Sequence, residues 1–484
     1  MPVLIDIRPV VQILGWLSCS VALALLVPAL ADYGVGNPDW HAFIVASVLA
    51  GFLGVLSVAA TRTRETARFD IRQAFLITIF GWIVVALLGA VPFLGLGIGF
   101  TDAVFESMSG ITTTGSTVLV DLDALPPGIL LWRALLQWFG GIGIIGIAIM
   151  LLPLLRVGGM QLFRIERPDS SEEKIYTPGK TIFFLMSIYA ALTVACAILY
   201  AAFGMTAFDA VTHAMSTLST GGYSTHDASF AHFGNPALHW VATLFMLAGA
   251  IPFFLYVKAV RGSVTALVTD QQVRGFLAFV VVASVVMAWW LTSQRDIGFY
   301  EALTLTAFNI TSIVTTTGFA SDDYTAWGPG AVGVFLVLMF VGGCSGSTSG
   351  AIKIYRIQIL MQIVRAHIRR LTRPHRVIPL HFNGRLLPDD VPYSILAFLV
   401  VFVATIALFT VALALLGLDI VTAYSASVTA ITNVGPGLGA IIGPAGTFEP
   451  LPDTAKWILT FAMLAGRLEV LALLVALDLE FWRN

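Results

Sequence analysis

The chain has 484 residues, 58% of them hydrophobic and 11% charged, with mean hydropathy +0.89. A soluble domain carries roughly a quarter of its residues charged, so the composition excludes a water-soluble globule and indicates a membrane protein. The formal net charge of −2 decides little, because placement of charge orients a membrane protein, and Cys19, Cys196 and Cys344 are too scattered for a disulfide framework or metal site.

A membrane span needs about 20 predominantly apolar residues. Such runs fall at approximately 9–31, 41–60, 74–97, 131–155, 181–203, 237–260, 275–293, 330–360, 393–417 and 455–479, ten in all. The first is long for a signal-peptide core and others follow, so it is read as retained. Connecting segments alternate in basic content. Arg62, Arg64, Arg68 and Arg72 follow the second run; Arg156, Arg164, Arg167, Lys174 and Lys180 follow the fourth. Lys258, Arg261 and Arg274 follow the sixth, and Lys353, Arg356, Arg365, Arg369, Arg370, Arg373, Arg376 and Arg385 the eighth. The opposite loops carry Asp121, Asp123, Asp227, Asp322, Asp323, Glu449 and Asp453. The positive-inside rule makes the basic side cytoplasmic and puts both termini there. The 353–385 cluster has two readings: topology with contact to anionic lipid, or docking of a cytosolic partner.

A polar motif recurs between the runs. "ITTTGST" (111–117), "LSTGGYSTHD" (218–227), "IVTTTGFASDD" (313–323) and "ITNVGPG" (431–437) centre on Gly115, Gly222, Gly318 and Gly435, separated by 107, 96 and 117 residues. Before each comes a partly polar stretch of helical character: FTDAVFESMSG, FDAVTHAMST, LTLTAFNITS and VTAYSASVTA. Each copy is flanked by an apolar run on either side. The organisation is therefore two extra N-terminal spans (1–70) and four pore repeats at 71–170, 171–270, 271–380 and 381–484. The expected fold is all-α, with ten transmembrane helices and four re-entrant pore helices around a central pore.

Non-helical backbone at membrane depth is tolerated where it lines an aqueous cavity or is buried in protein. Four such loops around one axis can aim carbonyl oxygens at a common centre and replace the hydration shell of a monovalent cation. Glycine supplies backbone conformations closed to other residues, and each short helix aims its partial negative C-terminus at the cavity. The expected ion ligands lie in Thr113, Thr114 and Gly115; Thr220, Gly221 and Gly222; Thr316, Thr317 and Gly318; and Asn433, Val434 and Gly435. Gly221 beside Gly222 leaves the second register open by one residue, and Pro436 stiffens the fourth loop, which argues against full fourfold equivalence. Asp102, Glu106, Asp209 and Glu301, near the starts of the short helices, are read as helix caps. His213 is read as packed or hydrogen-bonded; neither it nor His226 and His232 establishes a proton relay.

On these repeats the chain resembles the TrkH family, within the superfamily of K⁺ transporters that includes TrkG, KtrB and the fungal Trk proteins. The two extra N-terminal spans and "RVIPLHFNGRLLPDDV" before the last repeat resemble TrkH more than KtrB. The resemblance implies K⁺ as the transported ion and no organic cofactor. It also implies a homodimer in the inner membrane, contact with membrane lipid, and a cytosolic nucleotide-binding regulatory subunit of TrkA type. No nucleic-acid partner is implied.

Two further features gain roles from it. Gly342, Gly343, Ser345, Gly346, Ser347 and Gly350 interrupt the eighth run. Glycine and serine at this density break a helix; the family reading is an intramembrane gate below the filter, the alternative a small-residue packing face. "GCSGS" lacks the last glycine of a nucleophile elbow and "GSTSGAIK" fails the phosphate-loop pattern, so no enzyme is implied. Arg467, in "MLAGRLEVLALLVAL", aligns with Ala250 of "MLAGAIPFFLYV". An arginine in mid-span is functional by default; the family reading is a pore charge restraining flow, the alternative a salt bridge. Glu469, two residues on, points away along a helix. The competing function is an H⁺- or Na⁺-coupled cation symporter, which would call for paired ionisable groups within the spans.

Overall fold

The computed structural model describes residues 6–62, 70–150, 178–375, 378–478 and 481–482. Arg64, Arg68, Arg156, Arg164, Arg167, Lys174 and Arg376 of the basic segments lie outside these. Among the described residues the protein is overwhelmingly helical, with only two short two-stranded pairings. Among the described residues, seven helices are long and apolar enough to cross a membrane, or nine if two sharply bent pairs each count as one span.

The N-terminal helices Arg8–Gly34 and Trp40–Ala60 form a close hairpin. They approach through Gly15 and Gly54, where a Cβ on Gly54 would lie 2.8 Å from the Gly15 carbonyl oxygen. Helix association in lipid depends on such small-residue contacts, since lipid tails are as apolar as the side chains. Helix Ile71–Leu94 starts at a capping box, Asp70 with Gln73.

The four polar stretches expected to be helical are Phe100–Ile111, Ala207–Leu218, Phe299–Val314 and Ile420–Thr432. They start on designed-looking caps in two cases: Thr206 accepts from the Asp209 amide, and Asp419 from those of Val421 and Thr422. Each packs against the helix before it in the chain: Phe100–Ile111 on Ile71–Leu94, Ala207–Leu218 on Pro178–Ala202, Phe299–Val314 on Gln271–Gln294, and Ile420–Thr432 on Asp390–Leu415. Their C-terminal halves are almost wholly buried despite many hydroxyls.

Three of the apolar runs are interrupted, the eighth as its Gly/Ser cluster leads one to expect, the sixth and tenth against the expectation of straight spans. The eighth run is a ten-residue helix, Pro329–Leu338, a loop closed by parallel pairing of Val341–Gly342 with Ile352–Lys353, and then helix Ile354–Thr372. The sixth bends by 92° between Pro236–Gly249 and Phe253–Val260, where Pro252 removes an amide donor. The tenth bends by 103° between Asp453–Arg467 and Leu471–Leu477. Only the first of these breaks is legible as a Gly/Ser cluster. On the basic side, His381–Phe382 pairs antiparallel with Arg385–Leu386 about Asn383-Gly384, both at positive φ, as a two-residue type I′ hairpin requires.

Candidate functional site

The four Gly-centred loops share one backbone design. The amides of Thr114, Gly221, Thr317 and Val434 donate to the carbonyls of Ser109, Ser216, Ser312 and Thr429, five residues back in every case. Thr113, Thr220, Thr316 and Asn433 take left-handed φ of 52°, 52°, 58° and 55°, and Gly115, Gly222, Gly318 and Gly435 positive φ of 87°, 78°, 85° and 111°. In each loop a positive-φ residue stands on either side of one that is not, a departure from strand geometry, in which φ is negative throughout.

These matches resolve the second register. Gly222 is the equivalent of Gly115, Gly318 and Gly435, and Gly221 stands where the other loops have Thr114, Thr317 and Val434. In the fourth loop Pro436 follows the glycine, and Asn433 and Gly435 keep the positive φ of their counterparts, with Gly435 at the largest value of the four.

The loops enclose one another in cyclic order. A Cβ at Gly115 would overlap the Gly221 carbonyl oxygen, one at Gly222 that of Thr317, and one at Gly318 that of Val434. At Gly435 it would lie 2.7 Å from the Thr114 carbonyl oxygen, which closes the ring from the fourth loop to the first. Ser116 Oγ donates to the Gly435 carbonyl at 2.8 Å, and Asn433 Nδ2 to Thr114 Oγ1 at 2.9 Å across the same seam.

Side chains hold the loops from behind. Thr112 with Thr114, and Thr315 with Thr317, share hydroxyl hydrogen bonds of 2.8 and 2.7 Å. The second loop lacks a threonine at Gly221, and Gln137 fills that place. Its Nε2 donates to the Gly221 carbonyl and its Oε1 accepts from the Tyr223 amide. The first loop is tied to Glu106, whose carboxylate accepts from Arg133 Nε (2.8 Å), Thr117 Oγ1 and the Val118 amide. Arg133 also donates to the Ser224 carbonyl and lies over the Tyr223 ring. Glu106 is therefore the anchor of a buried network rather than a helix cap. Asp102 likewise pairs with Lys456 at 2.6 Å. His213 is buried, with Nδ1 against the Asp209 carbonyl and Nε2 against Ser224 Oγ. Sequence reasoning passed over Arg133 and Gln137; the signal available was a charged and an amide residue inside the fourth apolar run.

Below the ring lies the Gly/Ser loop. The Cys344 and Thr348 amides donate to the Ala250 and Gly249 carbonyls, and the Phe253 amide donates to the Gly346 carbonyl. The sharp bend at 250–252 is thus the seat of this loop. The Ser345 amide donates to Gln272 Oε1, the Gly350 amide to Thr316 Oγ1, and the Ala351 amide to the Thr432 carbonyl. Ser347 Oγ donates to the Cys344 carbonyl, and the Ile354 amide to the Gly343 carbonyl; Gly342 sits in the parallel pairing with Lys353. Arg467 is buried, and its Nη1 donates to the Thr348 carbonyl at 3.0 Å. Its Nη2 is 3.4 Å from the Gly140 carbonyl oxygen. Among the described residues it has no carboxylate within ion-pair distance, whereas Glu469 pairs with Arg356 at 2.6 Å. Arg467, Lys353, Gly346 and Asn433 line one cavity.

Taken together, the helices and loops define a multi-pass helical membrane protein with four polar loops closed into a ring and a fifth loop packed beneath it. The chain belongs to the TrkH family, described as a cation transport protein, whose sequence pattern matches residues 41–481. Over its length it is 44% identical to the Trk system potassium uptake protein TrkI of Halomonas elongata, covering 98% of this chain and 97% of that one. It is 34% identical to the Trk system potassium uptake protein TrkH of Escherichia coli K12, covering 99% of each. The crystal structure of the potassium transporter TrkH from Vibrio parahaemolyticus superposes with a TM-score of 0.91 at 33% identity, covering 99% of this chain and all of that one.

Proposed function

We propose that this protein takes up K⁺ across the bacterial inner membrane through one channel-like pore per chain. The observation that carries this reading is the cyclic contact of each filter glycine with the next loop's carbonyl. A ring of backbone oxygens without carboxylates suits a dehydrated monovalent cation. K⁺ is cargo; no organic cofactor is called for. The pore is built from four membrane–pore–membrane units, 71–170, 171–270, 271–380 and 381–484, behind two accessory spans in 1–70, with ten spans and both termini cytoplasmic.

The Gly/Ser loop acts as the gate. It is hydrogen-bonded to the filter bases of the second, third and fourth units, and Arg467 holds its Thr348 carbonyl. Opening the path means moving the loop and the guanidinium together. The protein works as a homodimer with a cytosolic nucleotide-binding subunit of TrkA type. Helix Ile354–Thr372 supports a docking role, since it leaves Arg365, Arg369 and Arg370 exposed beside exposed Val364 and Ile368.

Flux into proteoliposomes tests this. K⁺ and Rb⁺ should move down their gradients with no pH or Na⁺ gradient imposed; flux that requires either gradient would assign a symporter instead. In the same assay Arg467→Ala should raise passive flux by roughly tenfold or more, since one charge ~8 Å from an ion at an effective dielectric near 20 opposes it by about 2 kcal/mol. Equal or lower flux from folded Arg467→Ala protein would remove the arginine from the path.

A further inference from the structure

Away from the filter and gate, on the face opposite the basic segments, two loops meet through metal-binding side chains. Asp123 lies in the short helical turn Leu122–Ala124 after the first filter loop; His226 and His232 follow the second, His232 ending the turn Ser229–His232. One ligand atom from each of Asp123, His226 and His232 can be chosen so that all three lie within 4.8 Å of one another. His226 Nδ1 bonds the Asp123 carboxylate, and the Asp227 amide donates to the same carboxylate. His226 Nε2 is buried without a hydrogen-bond partner, 3.6 Å from Asp209 Oδ1. The His226 and His232 rings stack at 3.5 Å, 3° from parallel.

Two imidazoles held face to face beside a carboxylate have no role in conduction as derived above. The orphaned Nε2 is an unsatisfied donor or acceptor in a polar corner, a condition that native structures ordinarily relieve with water or an ion. We propose that Asp123, His226 and His232 form a site for a divalent transition-metal ion of the Zn²⁺ class, bridging the outer loops of the first and second units. Two imidazoles with one carboxylate suit borderline ions such as Zn²⁺ and disfavour Ca²⁺ and Mg²⁺, which take oxygen ligands. Ligand atoms around tetrahedral Zn²⁺ lie roughly 3.4 Å apart, given metal–ligand lengths near 2.1 Å. Closing from 4.8 Å is a side-chain movement, and His232 is exposed and able to make it. The stacked rings must also part, because parallel rings aim their lone pairs side by side; Zn²⁺ binding should therefore unstack them.

The test is calorimetric titration of ZnCl₂ into the purified full-length protein carrying no polyhistidine tag. Saturable binding at one site per chain is expected. His232→Ala and, separately, Asp123→Asn should weaken it more than about tenfold, a loss that even removal of a supporting partner can cause. Absence of saturable binding, or binding unchanged in both variants, would overturn the site.

Discussion

Gly318→Ala should cut K⁺ flux by more than about 100-fold, equivalent to ~2.8 kcal/mol, while the protein still assembles in the membrane. Two costs combine. Gly318 has φ of +85°, where a side chain costs about 1–2 kcal/mol. The added methyl also overlaps the Val434 carbonyl oxygen and comes within 2.9 Å of Pro436 Cδ. Relief of that overlap moves an oxygen of the ring itself, so the loss falls on ion passage more than on folding. Gly97→Ala provides the contrast. Its φ is +77°, yet nothing lies within 4 Å of a Cβ there, so it should show the backbone cost alone and keep normal flux. Rb⁺ uptake by proteoliposomes, with size-exclusion profiles of both variants, makes the comparison; normal flux in Gly318→Ala would take this loop out of the conduction path.

Arg133→Met should lower stability by about 3–5 kcal/mol, the usual result of stripping one partner from a buried ion pair. Arg133 is 1% exposed and Glu106 fully buried. Removing the guanidinium leaves a carboxylate with only the Thr117 hydroxyl and the Val118 amide for company. It also frees the Ser224 carbonyl and the Tyr223 ring, so the first and second loops lose their common brace. Thermal unfolding in detergent should show a large drop in midpoint. A shift no greater than that of an exposed substitution such as Arg369→Met would mean that the network does not hold the loops.

The repeats were legible because each Gly-centred loop is local: helix, turn and glycine follow within some fifteen residues, and each copy carries its own signal. The Gly/Ser break was legible for the same reason. What the sequence left open depended on partners far along the chain. Glu106 reads as a helix cap until Arg133, 27 residues on, is seen to reach it. The register at Gly221-Gly222 needed the amide of Gly221 and its bond to the Ser216 carbonyl. The bend at 250–252 reads as an ordinary proline in a span; its use as a seat for residues 344–348 joins segments nearly one hundred residues apart. Close packing behind the four loops was equally hidden. Gly140, Gly249 and Gly466 sit against the carbonyls of Ile111, Leu218 and Ile431, the last or next-to-last residues of three short helices. The paired "MLAGA" and "MLAGR" segments are explained by this contact, which sets Ala250 and Arg467 at matching places and leaves the charge in one repeat alone.

If the four loops form the ion-binding ring, Rb⁺ anomalous scattering from crystals of the intact protein should show a peak on the axis enclosed by the carbonyls of Thr114, Gly221, Thr317 and Val434. Rb⁺ found elsewhere in the protein, with none inside that ring, would rule the ring out as the ion site.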